Sequence, residues 1–227
     1  MSFKELTGIS SDVESWDRDE QEIRALTIVL DLERDLEISH EEALLATAAA
    51  IRDYFLDDAV REGGAWHEAT KLWMDGRIRK LAKRARGKEF TAAAELMPNS
   101  IGSYADAVVL VFPPMLVTDM PKELKRLQVQ GLDLPSRPVE LDARAEILVA
   151  LNPDVKMTTG KTMAQVGHAV QLAIMGASSE KLSHWENHRP VITFVDFDSR
   201  ESWDVEVHDA GFTEVEANSL TVRAQVI

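Results

Sequence analysis

The sequence predicts an α/β protein of two related units, each a small mixed β-sheet flanked by helices. An apolar segment at 23–32 has the composition of a strand, and helical periodicity follows it at 39–55. The same order recurs later, with an apolar strand at 145–151 and a helical segment at 160–175. The apolar positions of the two strand-loop-helix segments coincide when one is superimposed on the other.

This coincidence is best described by an offset of 119 residues, which places Asp35 over Asp154 and Ile38 over Met157. We interpret it as an internal duplication. The alternative is that two ordinary βα units look alike because strands and helices share periodicities. The predicted organisation is an acidic N-terminal tail at 1–21, a first copy at 22–135, a proline-rich linker at 132–138 and a second copy at 140–227.

The individual elements have local signals. Ser39 is a good helix N-cap and is followed by Glu41 and Glu42 in the first turn, where acids are favourable. The segment 77–85 fits either helix or strand periodicity, but its counterpart from Val191, VITFVDF, is strongly strand-like, so we favour a strand. Further strands are expected at 105–112, 190–197 and 219–226.

The net charge of the chain argues against a nucleic-acid partner, whereas one basic segment argues for such a partner. The net charge of −14 would repel a polyanion. One segment, 77–88, nevertheless carries seven basic residues and no acid, and screening over about 8 to 10 Å allows such a patch to act by itself. The alternative is a solvated basic face without a ligand. The basic residues are Arg77, Arg79, Lys80, Lys83, Arg84, Arg86 and Lys88.

Composition excludes several kinds of chemistry. The chain has no cysteine, so disulfides, thiolate nucleophiles and cysteine-bound zinc are excluded. The polar, acidic start and the lack of a long apolar run favour a cytoplasmic protein without a membrane partner. His184 and His188 are four residues apart and could chelate a metal on a helix, but the sequence offers no evident third ligand. We therefore expect neither a metal nor a cofactor.

Three polar residues form one stripe of the helix predicted at 160–175. Lys161, Gln165 and His168 follow the spacing i, i+4, i+7, opposite an apolar stripe that faces the core. A lysine is unfavourable in the first turn of a helix, which suggests that a ligand phosphate or carboxylate supplies negative charge there. The alternative is an ordinary amphipathic helix whose polar face is solvated.

Two motifs in this second half carry a family resemblance. The run DVKMTTGKTMAQVGHA at 154–169 and the run DAGFTEVEANSLTV at 209–222 resemble the two signatures of the archaeal/eukaryotic-type (type 2) peptidyl-tRNA hydrolases. Both motifs occur in the right order, which is far more specific than either alone.

The resemblance implies a function and a set of site residues. The family cleaves the ester bond between a peptide, or an N-blocked aminoacyl group, and the 3′ ribose of tRNA, and so recycles tRNA without a metal or cofactor. By position it implies Lys161, Asp209 and Thr221 as the catalytic group, with Gln165 and His168 in support. In that interpretation tRNA is the partner, and the basic segment 77–88 contacts its phosphates.

Some positions depart from the family pattern. Thr159 stands where family members usually carry a second lysine, which weakens the attraction for tRNA. In the first copy, the offset of 119 places Glu42, Ala46 and Ala49 at the positions of Lys161, Gln165 and His168. We therefore expect a degenerate, inactive first copy and a pseudo-dimer within one chain.

Two other functions remain open. One is a non-catalytic RNA- or protein-binding relative of the same fold, which the acidic charge and Thr159 favour. The other is a P-loop nucleotide-binding protein, because TTGKT ends like a phosphate-binding loop and VITFVD ends like its partner strand at Asp196. Val155 occupies the place of that loop's first glycine and would crowd a bound phosphate.

Overall fold

The computed structural model describes residues 1–9, 23–33, 35–76, 78–97, 99–211 and 213–227. The first half contains a four-stranded mixed sheet with the strand order β2-β1-β4-β3. Its elements are α1 (Phe3–Thr7), β1 (Arg24–Asp31), α2 (His40–Phe55), a short 3-10 helix (Asp58–Val60), α3 (His67–Met74), β2 (Lys80–Ala85), α4 (Lys88–Ala94), β3 (Ser100–Tyr104), β4 (Ala107–Leu116) and α5 (Lys122–Lys125).

The second half contains another four-stranded mixed sheet, with the order β6-β5-β8-β7. Its elements are β5 (Ile147–Leu151), α6 (Thr159–Gly176), α7 (Ser179–Trp185), β6 (Ile192–Phe194), β7 (Val205–His208) and β8 (Leu220–Val226). None of the helices in the described residues has the length and hydropathy needed to cross a membrane.

The two sheets have the same topology. In each, the first strand pairs in parallel with the second and antiparallel with the fourth, and the third pairs antiparallel with the fourth. The N-caps of α2 and α6 are Ser39 and Thr158, which differ by the predicted 119 positions. The next pair, His40 and Thr159, touch through Nδ1 and Oγ1 at 2.9 Å. Under a two-fold relation, equivalent residues can touch in this way only where both lie close to the axis.

A single core holds both halves together. The main cluster of buried apolar residues includes Leu44 and Ile51 of α2 together with Val166 and Val170 of α6, and these two helices pack against each other. A smaller cluster, with Phe112 and Leu124, covers the other side of the first sheet under α4 and α5. The main cluster therefore joins the two halves by burial, although each has its own sheet.

The predicted elements were largely confirmed, including a strand rather than a helix at Lys80–Ala85. Two edge strands, β3 and β7, were missed. The sequence SIGSY of β3 contains a glycine and few apolar residues, and VEVH of β7 has only two buried positions, so both signals were weak.

Part of the expected N-terminal tail is packed onto the fold. Ser2 and Glu5 form a capping box that begins α1, and the side chains of Phe3 and Ile9 are buried in the main core. The remainder of that segment, 10–21, lies outside the described residues.

Candidate active site

The N-terminus of α6 carries the first residue of the candidate site. β5 ends at Leu151, and Thr158 then caps α6 by accepting a hydrogen bond from the backbone N–H of Lys161. The side chain of Lys161 lies on the face of α6 that meets the second sheet and remains 13 % exposed. Lys161 is therefore held in the first turn of the helix, as its motif predicts.

Asp209 begins the loop that joins β7 to β8. Its backbone N–H donates to Ser219 at 2.9 Å and its carbonyl accepts from Asn218 at 2.7 Å, so the loop closes on itself. Oδ1 accepts the N–H of Gly211 at 2.8 Å. Gly211 has φ of +78°, and a Cβ there would meet the backbone of Ala217 at 2.8 Å. The Asp-Ala-Gly sequence is thus required by the backbone of this loop.

Thr221 lies in an irregular part of β8. Val207 pairs with Val222 and His208 pairs with Leu220, so Thr221 is the extra residue of a β-bulge. A bulge redirects a side chain that regular alternation would place on the other face. The fully buried hydroxyl of Thr221 lies 3.0 Å from the carbonyl of Val207 and 3.1 Å from Oε1 of Gln165.

These residues form one connected network. The ammonium of Lys161 forms a salt bridge with Oδ2 of Asp209, and Nε2 of Gln165 donates to the same oxygen at 2.6 Å. Gln165 in turn contacts Thr221 through its amide oxygen. Asp209, only 4 % exposed, is stabilised in this buried position by an ion pair and two hydrogen bonds.

The site is enclosed, unlike the solvated polar face that the sequence left open as an alternative. The side chains of Gln165, Asp209 and Thr221 are buried because the face of α6 that carries Gln165 packs against β7 and β8. Lys161 is the most accessible member of the network. A substrate approaching from solvent would therefore meet the ammonium first.

The protein itself supplies the negative charge that we expected from a ligand. Glu214, from the 209–219 loop, accepts hydrogen bonds from the backbone N–H of Thr158 at 2.9 Å and from its hydroxyl at 2.8 Å. Asp209 neutralises Lys161 nearby. Glu214 was missed as a site residue, although it belongs to the second motif and an acid is favourable at a helix N-terminus.

Other donors at this helix end are also occupied, which argues against a phosphate-binding loop. The N–H of Gly160 donates to the carbonyl of Leu132 at 3.0 Å, and that of Thr162 donates to the carbonyl of Thr158 at 2.9 Å. Thr159 is fully buried and its hydroxyl accepts from Leu134 at 2.9 Å. A long charged side chain would not fit at 159, which explains the departure from the family pattern.

His168, predicted as a supporting residue, contacts the first half rather than the network of Lys161, Asp209, Gln165 and Thr221. Its Nδ1 lies 2.9 Å from the ammonium nitrogen of Lys80, which also donates to Oε1 of Gln171. Gly167 permits this approach, because a Cβ there would lie 3.1 Å from Lys80 Cδ. Burial, and then the charges of Lys80 and Lys161, hold the pKa of His168 well below its ordinary value, so the ring is neutral and its Nδ1 accepts.

The predicted basic patch is wrong for two of its residues. β2 has apolar packing on both faces, so Lys80 points toward α6 and Lys83 toward the smaller core, where its ammonium donates to the carbonyl of Leu127 at 3.2 Å. Burial lowers the pKa of both lysines. Of the other five, Arg79 and Arg84 are partly exposed, Arg86 and Lys88 are exposed, and Arg77 lies outside the described residues.

Comparison with known proteins finds a similarity in the second half. The family model of peptidyl-tRNA hydrolase PTH2 matches residues 145–225, a segment that contains all four residues of the network. Searches of curated proteins and of solved structures gave no match. Over residues 145–225 the chain is thus similar to the type 2 peptidyl-tRNA hydrolases, the family that its two motifs predicted.

Proposed function

We propose that the second half of the chain hydrolyses the ester bond between a peptide, or an N-blocked aminoacyl group, and the 3′ ribose of tRNA. The observation that carries the proposal is the network of Lys161, Asp209, Gln165 and Thr221, which draws its members from both family motifs. Ester hydrolysis needs an oriented water, a base and a group that stabilises the oxyanion. This network contains a carboxylate and a cation in contact.

The reaction assigns a role to each group. Lys161 moves from Asp209 toward the substrate, where its charge stabilises the developing oxyanion or a phosphate of the tRNA end. This frees Oδ2 of Asp209 to orient a water and accept its proton as the water oxygen attacks the ester carbonyl. The ester C–O bond then breaks, and the 3′ oxygen of the ribose takes up the proton. Gln165 and Thr221 keep the carboxylate in position.

Single-turnover hydrolysis of N-acetylaminoacyl-tRNA tests this assignment. Lys161→Ala is expected to lower the rate by about 100-fold or more, because a positioned oxyanion-stabilising group is lost. Asp209→Asn, which keeps the shape of the side chain, is expected to act similarly. Lys122→Ala removes an equal charge from an exposed helix in the first half and should leave the rate unchanged. Full activity of the Lys161 variant would refute the proposal.

A non-catalytic relative is the second candidate, and the enclosure of Asp209 and Thr221 favours it. Such a protein would bind peptidyl-tRNA without turnover. The same experiment separates the two, because a binder retains the labelled aminoacyl group on the tRNA at saturating protein concentration.

We also infer that the two halves arose by duplication, with a degenerate copy at 22–135 and a catalytic copy at 140–227. The shared topology, the N-caps 119 residues apart and the contact of His40 with Thr159 support this. The first copy has Glu42 in the place of Lys161, and there it accepts the N–H of Ser39 as part of a capping box. The tight turn at 105–106 takes the place of the loop that carries Asp209 in the second half.

For tRNA we propose a contact surface formed by Arg84, Arg86 and Lys88 at the end of β2. The guanidinium of Arg84 lies beside Gly131, whose neighbour Leu132 packs against Gly160 in the first turn of α6. This end of β2 is therefore on the same side of the molecule as Lys161. Long cationic side chains there could hold phosphates of a tRNA whose 3′ end reaches the site.

A further inference from the structure

We propose that Glu146, His184 and His188 form a binding site for a transition-metal dication of the Zn²⁺ type. The ligand atoms that the three residues offer lie within 4.8 Å of one another. Nε2 of His188 is 3.0 Å from one carboxylate oxygen of Glu146, and Nε2 of His184 is 3.9 Å from the other. The sequence provided the two histidines, and the fold adds the third ligand that the sequence did not reveal.

The local structure brings these groups together. His184 lies in the last turn of α7, and the turn that follows the helix places the ring of His188 5.0 Å from that of His184, centroid to centroid. Glu146 comes from a distant part of the chain, immediately before β5. The ligands thus converge from a helix end and a strand start, which is how a folded protein assembles a site that the unfolded chain lacks.

The ligand set suits zinc. Two imidazoles and one carboxylate are a known combination for Zn²⁺ with one open coordination position, at ligand distances of about 2.0 to 2.2 Å. Such distances require ligand atoms roughly 3 to 3.5 Å apart. The three ligand atoms lie within 4.8 Å of one another and must rotate closer together, which the imidazoles can do because their side chains are 60 % and 50 % exposed.

A second residue already orients the carboxylate. The indole N–H of the fully buried Trp185 donates to Oε1 of Glu146 at 3.1 Å. Hydrogen bonds of this kind to a ligating carboxylate are typical of protein metal sites and raise their affinity. One neighbour opposes the cation: the ammonium of Lys181 lies 3.8 Å from the same oxygen.

The site is separate from the catalytic network. Glu146 precedes β5, whereas Asn152, which follows β5, donates to the carbonyl of Thr221 beside the network. The five residues of β5 separate them, so the two positions are about 20 Å apart at the rise of a strand. A bound ion would therefore connect α7 to the second sheet and would take no part in ester hydrolysis, so the inference does not depend on the proposed function.

Titration of the full chain, treated with chelator and then dialysed, with ZnCl₂ by calorimetry tests the site. We expect one equivalent of zinc to bind, with at least a tenfold loss of affinity in His188→Ala and in Glu146→Gln. His208→Ala removes an exposed histidine on β7 and should change nothing. Lys181→Met should tighten binding several-fold, because it removes a like charge near the ion.

The melting temperature is a second measurement, which distinguishes a loss of zinc binding from a variant that fails to fold. Zinc should raise the Tm of the wild type and leave that of the His184→Ala/His188→Ala double variant unchanged, because only a ligand that binds the folded state stabilises it. Absence of saturable binding by the wild type, or equal affinity in His188→Ala and His208→Ala, would overturn the proposal. Hydrolysis of N-acetylaminoacyl-tRNA should be the same with and without chelator.

Discussion

At the scale of single residues, the amide of Gln165 has one orientation that satisfies both Asp209 and Thr221. Gln165 presents its oxygen to Thr221 and its nitrogen to Asp209, so the two contacts are possible only with one orientation of the amide group. That orientation directs a donor toward the carboxylate and satisfies a group that is almost completely buried. The bulge in β8 is what brings the hydroxyl to Gln165.

Thr221→Val tests this role because it keeps the shape of the side chain and removes the hydroxyl. The one O–H hydrogen that Oε1 of Gln165 and the carbonyl of Val207 share is then lost, and we expect a loss of about 1 to 3 kcal/mol in the free energy of unfolding. Hydrolysis should also slow, because the amide can rotate away from Asp209. Thr221→Ser should restore most of both quantities. Urea unfolding and the tRNA assay measure them, and a fully active, equally stable valine variant would contradict the role.

At the scale of the elements, α6 contacts the second sheet near its N-terminus and the first half further along the helix. Lys161 and Gln165 face β7 and β8. Further along the helix, His168 and Gln171 contact the ammonium of Lys80, which comes from β2 of the first half. Lys80 also lies 4.9 Å from the centre of the Trp73 ring. The first half therefore positions the helix that carries the proposed catalytic lysine, even though its own equivalent residues are altered.

The buried ring of His168 predicts a pH dependence of stability. Its pKa in the folded protein is well below 6.5, so below about pH 6.5 the unfolded chain binds a proton that the folded protein does not. The free energy of unfolding therefore carries no penalty from His168 above the pKa of the unfolded chain, and it decreases as the pH falls below that value. His40, whose pKa burial also lowers, adds to this effect.

We expect His168→Gln to lose less stability than the wild type between pH 7.5 and 5.5. Urea unfolding at both pH values measures the difference. His208→Gln, an exposed histidine, serves as the control and should follow the wild type. An identical pH dependence in the wild type and His168→Gln would show that the ring is not kept neutral by the fold.

At the scale of the whole molecule, a negatively charged protein is proposed to bind tRNA, which is itself a polyanion. The net charge is −14, and burial removes Lys80 and Lys83 from the accessible surface. In that proposal, tRNA binding depends on few cationic side chains, so the loss of any one of them should change the affinity measurably.

The double variant Arg86→Ser/Lys88→Ser should weaken tRNA binding and reduce the slope of log K against log salt by about 1 for each lost phosphate contact. Lys122→Ser/Lys125→Ser removes the same charge from α5 and is the matched control. Filter binding over a salt series measures both. Equal slopes for the two double variants would place the tRNA surface elsewhere.

The sequence by itself determined what depends on local pattern. Apolar periodicity and the serine at 39 predicted strands and helices in each half, and two motifs predicted the similarity to the type 2 peptidyl-tRNA hydrolases and the residues that now form a network. Edge strands with few apolar residues, such as β3, gave too weak a pattern.

Tertiary structure alone decided which polar groups are accessible and which are paired. A run of seven basic residues looks uniform as a sequence, yet packing on both faces of β2 buries Lys80 and Lys83 and leaves Arg86 and Lys88 exposed. Glu214 at the start of α6, and Glu146 beside His184 and His188, join residues that are distant in the chain. Local propensities act over a few residues, whereas burial and charge pairing depend on which distant segments the fold brings into contact.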